Sequence, residues 1–264
     1  PLGDISYGFD PVSNRLAMTS TVFGIPSQVN TFDANDRLGS DTYDVAGNTK
    51  AATIHDSING TDIAFTYSYD FDNRILCVTS VSSVVQLTYD GDGNRVQKTV
   101  TDAFGTRTTR YLVDQNNLTG YSQVLEELDA SNNVTVAFTV GLDAISQTLF
   151  TPTNEVTHYF GYDGHGNTRF LTDTNGTITD RWDYDAYGNI IARSGATANN
   201  LLYCGEYLDP DLGLYFLRAR YMEPGRGRFW SMDSFEGFNT DPITLHKYVY
   251  ANANPMSFTD PSGR

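Results

Sequence analysis

The hexapeptide Tyr-Asp-x-x-Gly-Asn stands four times in this chain, at residues 43–48, 89–94, 162–167 and 184–189. Degenerate relatives begin at Phe9, Phe32, Tyr69 and Tyr111, so that starting positions step by 23 (9 to 32), 20 (69 to 89), 22 (89 to 111) and 22 (162 to 184). Self-similarity at such a period marks a repeat architecture, because each unit is too small to bury a face alone and must stack on its neighbours. The stretch Ile63–Tyr69 alternates apolar or aromatic with polar residues, the period of a half-buried strand. Gly and Asn then supply the positive φ that tight hairpins need. Each unit therefore reads as a β-hairpin. Its Tyr ends a strand and packs on the next hairpin, and its Asp accepts turn N–H groups. Asp44, Asp90, Asp163 and Asp185 are expected to hold turns. Helical periodicity is nearly absent, and Val124–Leu128 reads as strand. The expected fold is all-β, a tandem array of hairpins over residues 1–200.

From about Leu201 the texture changes. Residues 203–264 carry six basic and eight acidic residues, whereas residues 1–202 carry 11 basic and 24 acidic. Aromatics crowd this tail, and Arg218, Arg220, Arg226 and Arg228 fall within eleven residues of it. Such a segment is expected to form a compact cap with its own core, stitched by Arg–carboxylate pairs. The whole chain has a net charge of −15. That excludes nucleic-acid binding through phosphates, which needs a basic surface. No apolar run reaches the ~18 residues of a membrane helix. Asp90-Gly-Asp-Gly-Asn94 opens like a calcium loop, but Arg95 and Thr101 stand where that loop needs Gly and Glu. His55, His158, His165 and His246 are scattered without zinc-ligand spacing, and no phosphate-binding loop is present, so no metal or cofactor is expected. Cys77 and Cys204 leave one bridge or two thiols equally open.

The two textures together resemble the YD-repeat (RHS-repeat) proteins, and the tail resembles the RHS-repeat-associated core domain. The match rests on Tyr203-Cys-Gly-Glu-Tyr207, Gly213–Tyr221, Pro224–Phe229, Met232-Asp233, Leu245–Tyr250, Asn254-Pro255 and Asp260-Pro-Ser-Gly263. The resemblance implies that the hairpins join into a curved, spiralling shell closed by a C-terminal plug over residues 201–264. It also implies an exported bacterial protein, secreted or at the cell surface. In toxin members of the family the shell encloses a C-terminal polypeptide, and the core domain cuts itself free after its final Asp-Pro-x-Gly-(Leu or Met) motif. Teneurins use a related shell for adhesion.

Peptide hydrolysis by carboxylates needs two Asp close together, one acting as base on water and the other as acid. Carried over by motif, the pair is Asp233 and Asp260, with Arg228 or Arg226 holding the carboxylates ionised or orienting the scissile carbonyl. Asp233 is followed by Ser where the family has Pro, and Arg264 replaces Leu or Met. Asp241, which sits in an Asp-Pro dipeptide, is the rival first aspartate. Containment of a toxin polypeptide, with self-cleavage at or near Arg264, is one expected function. The other is a non-enzymatic surface or adhesion protein, with exposed aromatics suited to glycans. A repeat array beginning at Pro1 is also expected to leave a bare sheet edge, which pairs with upstream or neighbouring RHS-repeat chain.

Overall fold

The computed structural model describes residues 3–56 and 60–264. Three strands open the chain, β1 (Ile5–Phe9), β2 (Arg15–Ser20) and β3 (Gln28–Val29), and pair in that order. A 14-stranded antiparallel sheet follows. It begins with β4 (Thr42–Tyr43), β5 (Thr49–Asp56), β6 (Thr61–Tyr69), β7 (Ile75–Ser80), β8 (Ser83–Tyr89), β9 (Arg95–Asp102) and β10 (Gly105–Asp114). It continues through β11 (Gln123–Leu128), β12 (Val134–Val140), β13 (Ala144–Thr151), β14 (Asn154–Tyr162), β15 (Thr168–Thr172), β16 (Ile178–Tyr184) and β17 (Ile190–Ser194). Every neighbour in the sheet is a neighbour in sequence. The segment expected as a strand at Val124–Leu128 lies within β11. The array is interrupted between β3 and β4. There the degenerate motif Phe32-Asp-Ala-Asn-Asp-Arg-Leu38 lacks the Gly-Asn pair, and Asp36 itself takes the left-handed conformation (φ 58).

The turns follow from the motif's chemistry. In 44–48 the Asp44 carboxylate accepts the Asn48 backbone N–H (2.8 Å) and its side-chain amide (2.9 Å), and Gly47 takes φ +80. The same two bonds recur at Asp90/Asn94, Asp163/Asn167 and Asp185/Asn189. All four aspartates hold turns as expected. The motif tyrosines add a second fastening. Tyr69, Tyr89, Tyr162 and Tyr184 donate their hydroxyls to the carbonyls of Thr49, Ile75, Ala144 and Thr168, at 2.7 to 3.0 Å. Each acceptor is the first residue of the preceding strand, so these four hairpins are pinned to the ones before them, whereas the Tyr43 hydroxyl accepts the Leu38 N–H. The register shifts at each of these tyrosines. Such bulges add twist and bend the wall.

The wall curves around the C-terminal residues. These form a four-stranded sheet of β18 (Tyr207–Asp209), β19 (Leu214–Leu217), β20 (Arg220–Glu223) and β21 (Arg228–Phe229), with three short 3₁₀ turns. One core joins Ile54, Phe65, Tyr67, Val78 and Leu87 of the early strands to Leu212, Leu214, Tyr221 and Trp230. A second joins Leu171, Trp182 and Tyr187 of the late strands to Tyr215, Leu217, Met222 and Phe229. The small sheet is thus gripped from both ends of the wall. A buried ion cluster bolts it in place. Arg95 and Lys98 of β9 reach the fully buried Asp209 at 2.8 and 2.9 Å, and Lys98 also reaches Asp211 at 2.7 Å. Burial pushes the Asp209 carboxyl up, but Lys98 and Arg95 outweigh it and hold the group below the usual carboxylate range. Cys77 and Cys204 are both free thiols.

Removing one member of a buried charge cluster strands the others. Asp209→Ala is expected to cost about 3–5 kcal/mol in urea unfolding, against about 1 kcal/mol for the half-buried turn change Asp90→Ala. Equal costs would show that the cluster does not bear the wall–plug contact.

Candidate functional site

The hairpin joining β19 to β20 turns on two residues, Arg218 and Ala219, with Arg218 in the left-handed conformation (φ 59). Its tip holds three consecutive carbonyls near the C-terminus. Arg218 Nη1 donates to the Pro261 oxygen (2.5 Å), Ala219 N–H to that of Ser262 (3.3 Å) and Arg220 Nε to that of Gly263 (2.6 Å). Gly263 has φ +69, and a Cβ there would overlap the Leu217 carbonyl oxygen, so the fit requires glycine.

Two aspartates meet this cradle at one guanidinium. Arg220 Nη2 lies 2.8 Å from Asp233 Oδ2 and 3.9 Å from Asp260 Oδ2. The other oxygen of Asp233 accepts the Phe235 N–H at 2.8 Å, and its own N–H donates to the Lys247 carbonyl. The other oxygen of Asp260 accepts the Gly263 N–H and the Ser262 hydroxyl, both at 2.9 Å. Arg220 is buried, with its guanidinium carbon 3.7 Å from the centre of the Phe229 ring. A cavity of about 790 Å³ opens beside these groups, lined by Arg220, Asp233, Gly263 and Arg264 together with the turns at Asn73 and Gly93.

The sequence expectation for the arginine changes here. Arg228 donates to the Asp36 carbonyl and stacks on Tyr248 at 4.5 Å, and Arg226 pairs with Asp41 at 2.7 Å. Arg220 takes the place assigned to them, because β20 directs it at the chain end while β21 faces the N-terminal strands. Asp241 begins the 3₁₀ turn Pro242–Leu245, its carbonyl accepting the Thr244 N–H, and Asp260 is paired through Arg220 with Asp233. A further group, Glu206, was not visible in the pattern. Arg218 Nη1 lies 2.9 Å from both its oxygens. Burial pushes the Glu206 carboxyl up to about 7 against the pull of Arg218.

A hairpin wall wound on a core domain defines the class, a YD-type shell segment. Residues 131–256 match the Teneurin YD-shell family. The tRNA3(Ser)-specific nuclease WapA of Bacillus spizizenii is 32% identical over 98% of this chain and 11% of its own length. Double-stranded DNA deaminase toxin A of Burkholderia cenocepacia is 31% identical over 84% of this chain and 16% of its own. Among solved structures, TcdB2-TccC3-Cdc42 covers 99% of this chain and 17% of that one, with a TM-score of 0.61 at 17% identity, a likeness of fold. The chain belongs to the YD-repeat (RHS-repeat) proteins, and it spans about a tenth of the length of the WapA relative.

The Glu206 shift has a direction that stability measurements can check. The folded carboxyl keeps its proton to about pH 7, whereas the unfolded one releases it near its ordinary 4.5. Its contribution is full below pH 4.5 and is lost as pH rises to 7, on the order of 3 kcal/mol in all. Glu206→Gln is expected to flatten the stability profile over that window. An unchanged slope in chemical denaturation at pH 5, 6 and 7 would contradict it.

Proposed function

We propose that this segment is the plugged end of a container in an exported RHS-type protein, and that the plug severs the polypeptide leading out of it. The coarser statement, a structural shell module with toxin-related relatives, rests on the fold and the family. No helix among the described residues is long and apolar enough to cross a membrane. The concave side of this segment is occupied by residues 201–264, leaving gaps of about 300 and 330 Å³ against the wall. Neither holds a folded domain, so in this reading the cargo lies against wall outside the segment. The edge of β1, unpaired among the described residues, is where further RHS-repeat chain joins.

One observation carries the cleavage reading: Arg220 touches Asp233, Asp260 and the Gly263 carbonyl at once. One aspartate takes a proton from water as the water oxygen bonds to a carbonyl carbon at Gly263 or Arg264. The guanidinium offsets the negative charge that develops on the carbonyl oxygen. The other aspartate, protonated, gives its proton to the amide nitrogen as the C–N bond breaks. The products are one carboxylate-ended and one amine-ended chain. The hairpin tip supplies position, fixing the substrate carbonyl before the reaction begins.

Expression of a chain extended past Arg264 tests this by intact mass. A cut at or next to Gly263–Arg264 is expected, absent in Asp233→Asn and Asp260→Asn. Arg220→Met and Gly263→Ala are expected to slow it at least about 100-fold, the scale of losing one oxyanion donor. Unimpaired cleavage in both aspartate variants would end the protease reading.

A further inference from the structure

Each aspartate beside Arg220 is seated by a different part of the wall. Asp233 follows Trp230–Met232, and Trp230 is held from β5, where the Thr49 N–H and hydroxyl both donate to its carbonyl, at 3.2 and 2.8 Å. Thr49 is buried, and its own carbonyl takes the Tyr69 hydroxyl. Met232 lies against Gly47 of the turn before β5, where a Cβ would overlap its sulfur. The Gly47 carbonyl accepts the Tyr248 hydroxyl at 2.7 Å. Asp260 is seated from the start of β11. The Ser122 carbonyl, one residue before that strand, accepts Arg218 Nε at 2.9 Å, and Arg218 Nη1 donates to Pro261, the residue after Asp260. The Glu206 carboxyl, with both oxygens 2.9 Å from the same Nη1, fixes the guanidinium between wall and chain end.

Both anchors stand on one edge of the 14-stranded sheet. Its strands are antiparallel and sequential, so β5, β7, β9 and β11 all begin at that edge. The turns at Asn73, Gly93 and Gly120 lie along it and line the 790 Å³ cavity beside the two aspartates. Strands β6 to β10 separate the anchors. Six interstrand spacings, about 29 Å along a sheet, therefore lie between Thr49 and Ser122. Yet Asp233 and Asp260 converge on one guanidinium, at 2.8 and 3.9 Å. The link from each anchor to its aspartate is short. On one side it is the segment Trp230–Asp233, and on the other it is the Arg218 side chain and Pro261. The bend of the edge therefore sets how closely the two carboxyls approach. A flatter wall would draw Trp230 and Pro261 apart and take the aspartates off Arg220.

We propose that the wall is the jig of this site: β5 seats Asp233, the start of β11 seats Asp260, and the plug cuts only when the edge between them has its full bend. Given the cleavage reading on which this rests, Gly47, Thr49 and Arg218 are positioning residues, and cutting waits until β5 to β11 have assembled around the plug. Cleavage of a chain extended past Arg264, timed by intact mass, is the first test. Gly47→Ala and Arg218→Met are expected to slow it about tenfold or more, as small misplacements of reacting groups do. Gly176→Ala is the control. Gly176 has φ +81 against +80 at Gly47, so the backbone strain is matched, but a Cβ there meets nothing. That variant is expected to cut at the unaltered rate. The second test is hydrogen exchange in the 264-residue chain, which does not depend on cutting. Gly47→Ala is expected to speed exchange over residues 231–235 and Arg218→Met over 259–264, with Gly176→Ala moving neither. Such exchange together with no cut in the unaltered extended chain would uphold the seating of the aspartates and overturn the cleavage reading. Unchanged exchange in both variants, undiminished cutting in both, or equal slowing by Gly176→Ala would overturn the jig.

Discussion

Each motif turn of the wall closes on a carboxylate. The motif aspartate takes both the backbone and the side-chain N–H of an asparagine four residues on, and the hairpin has its shape before it meets another hairpin. A turn fixed this way sets the register of the strands it joins. Register in turn places the motif tyrosine where its hydroxyl finds the preceding strand. The curvature that lets the wall wrap a core domain thus descends from a two-bond local contact repeated along the chain.

The plug obeys a different physics. Its contacts with the wall are long-range, partly apolar and partly ionic, and the ionic part is buried. Arg95 is enclosed by the rings of Tyr111, Tyr207 and Phe216 as well as by Asp209. Aromatic faces and a single aspartate replace the water that both guanidinium and carboxylate give up. Such a cluster tolerates little change of geometry, and it fixes β18 against β9.

The all-β wall and its turns were legible in the sequence because the determinants sit within six residues of one another. The aspartate pair was legible as motif alone; which arginine serves it was not. Arg218, Arg220, Arg226 and Arg228 are interchangeable as letters, and only the two-residue hairpin at Arg218-Ala219 decides that Arg220 faces Gly263. Glu206 and the Arg95–Asp209 contact were hidden for a related reason. The latter joins residues 114 apart, and no local period reports it. The break between β3 and β4 left no such trace: the degenerate motif at Tyr69 lacks Gly-Asn as the one at Phe32 does, yet β6 and β7 pair across it.

The N-terminal strands return to the far end of the array. Tyr7 donates to Asp185, its ring meets Tyr187 edge-on at 5.2 Å, and Ile5 packs near Ile191. These partners lie 178 residues apart in the case of Tyr7 and Asp185. During synthesis or threading from the N-terminus, β1 and β2 must wait for nearly the whole wall before they find their place. Contacts of that span are slow to form. The contact between the two ends of the array therefore forms only after residue 185 has been made. A chain stalled before residue 185 would present an open, curved sheet with its inner apolar face uncovered.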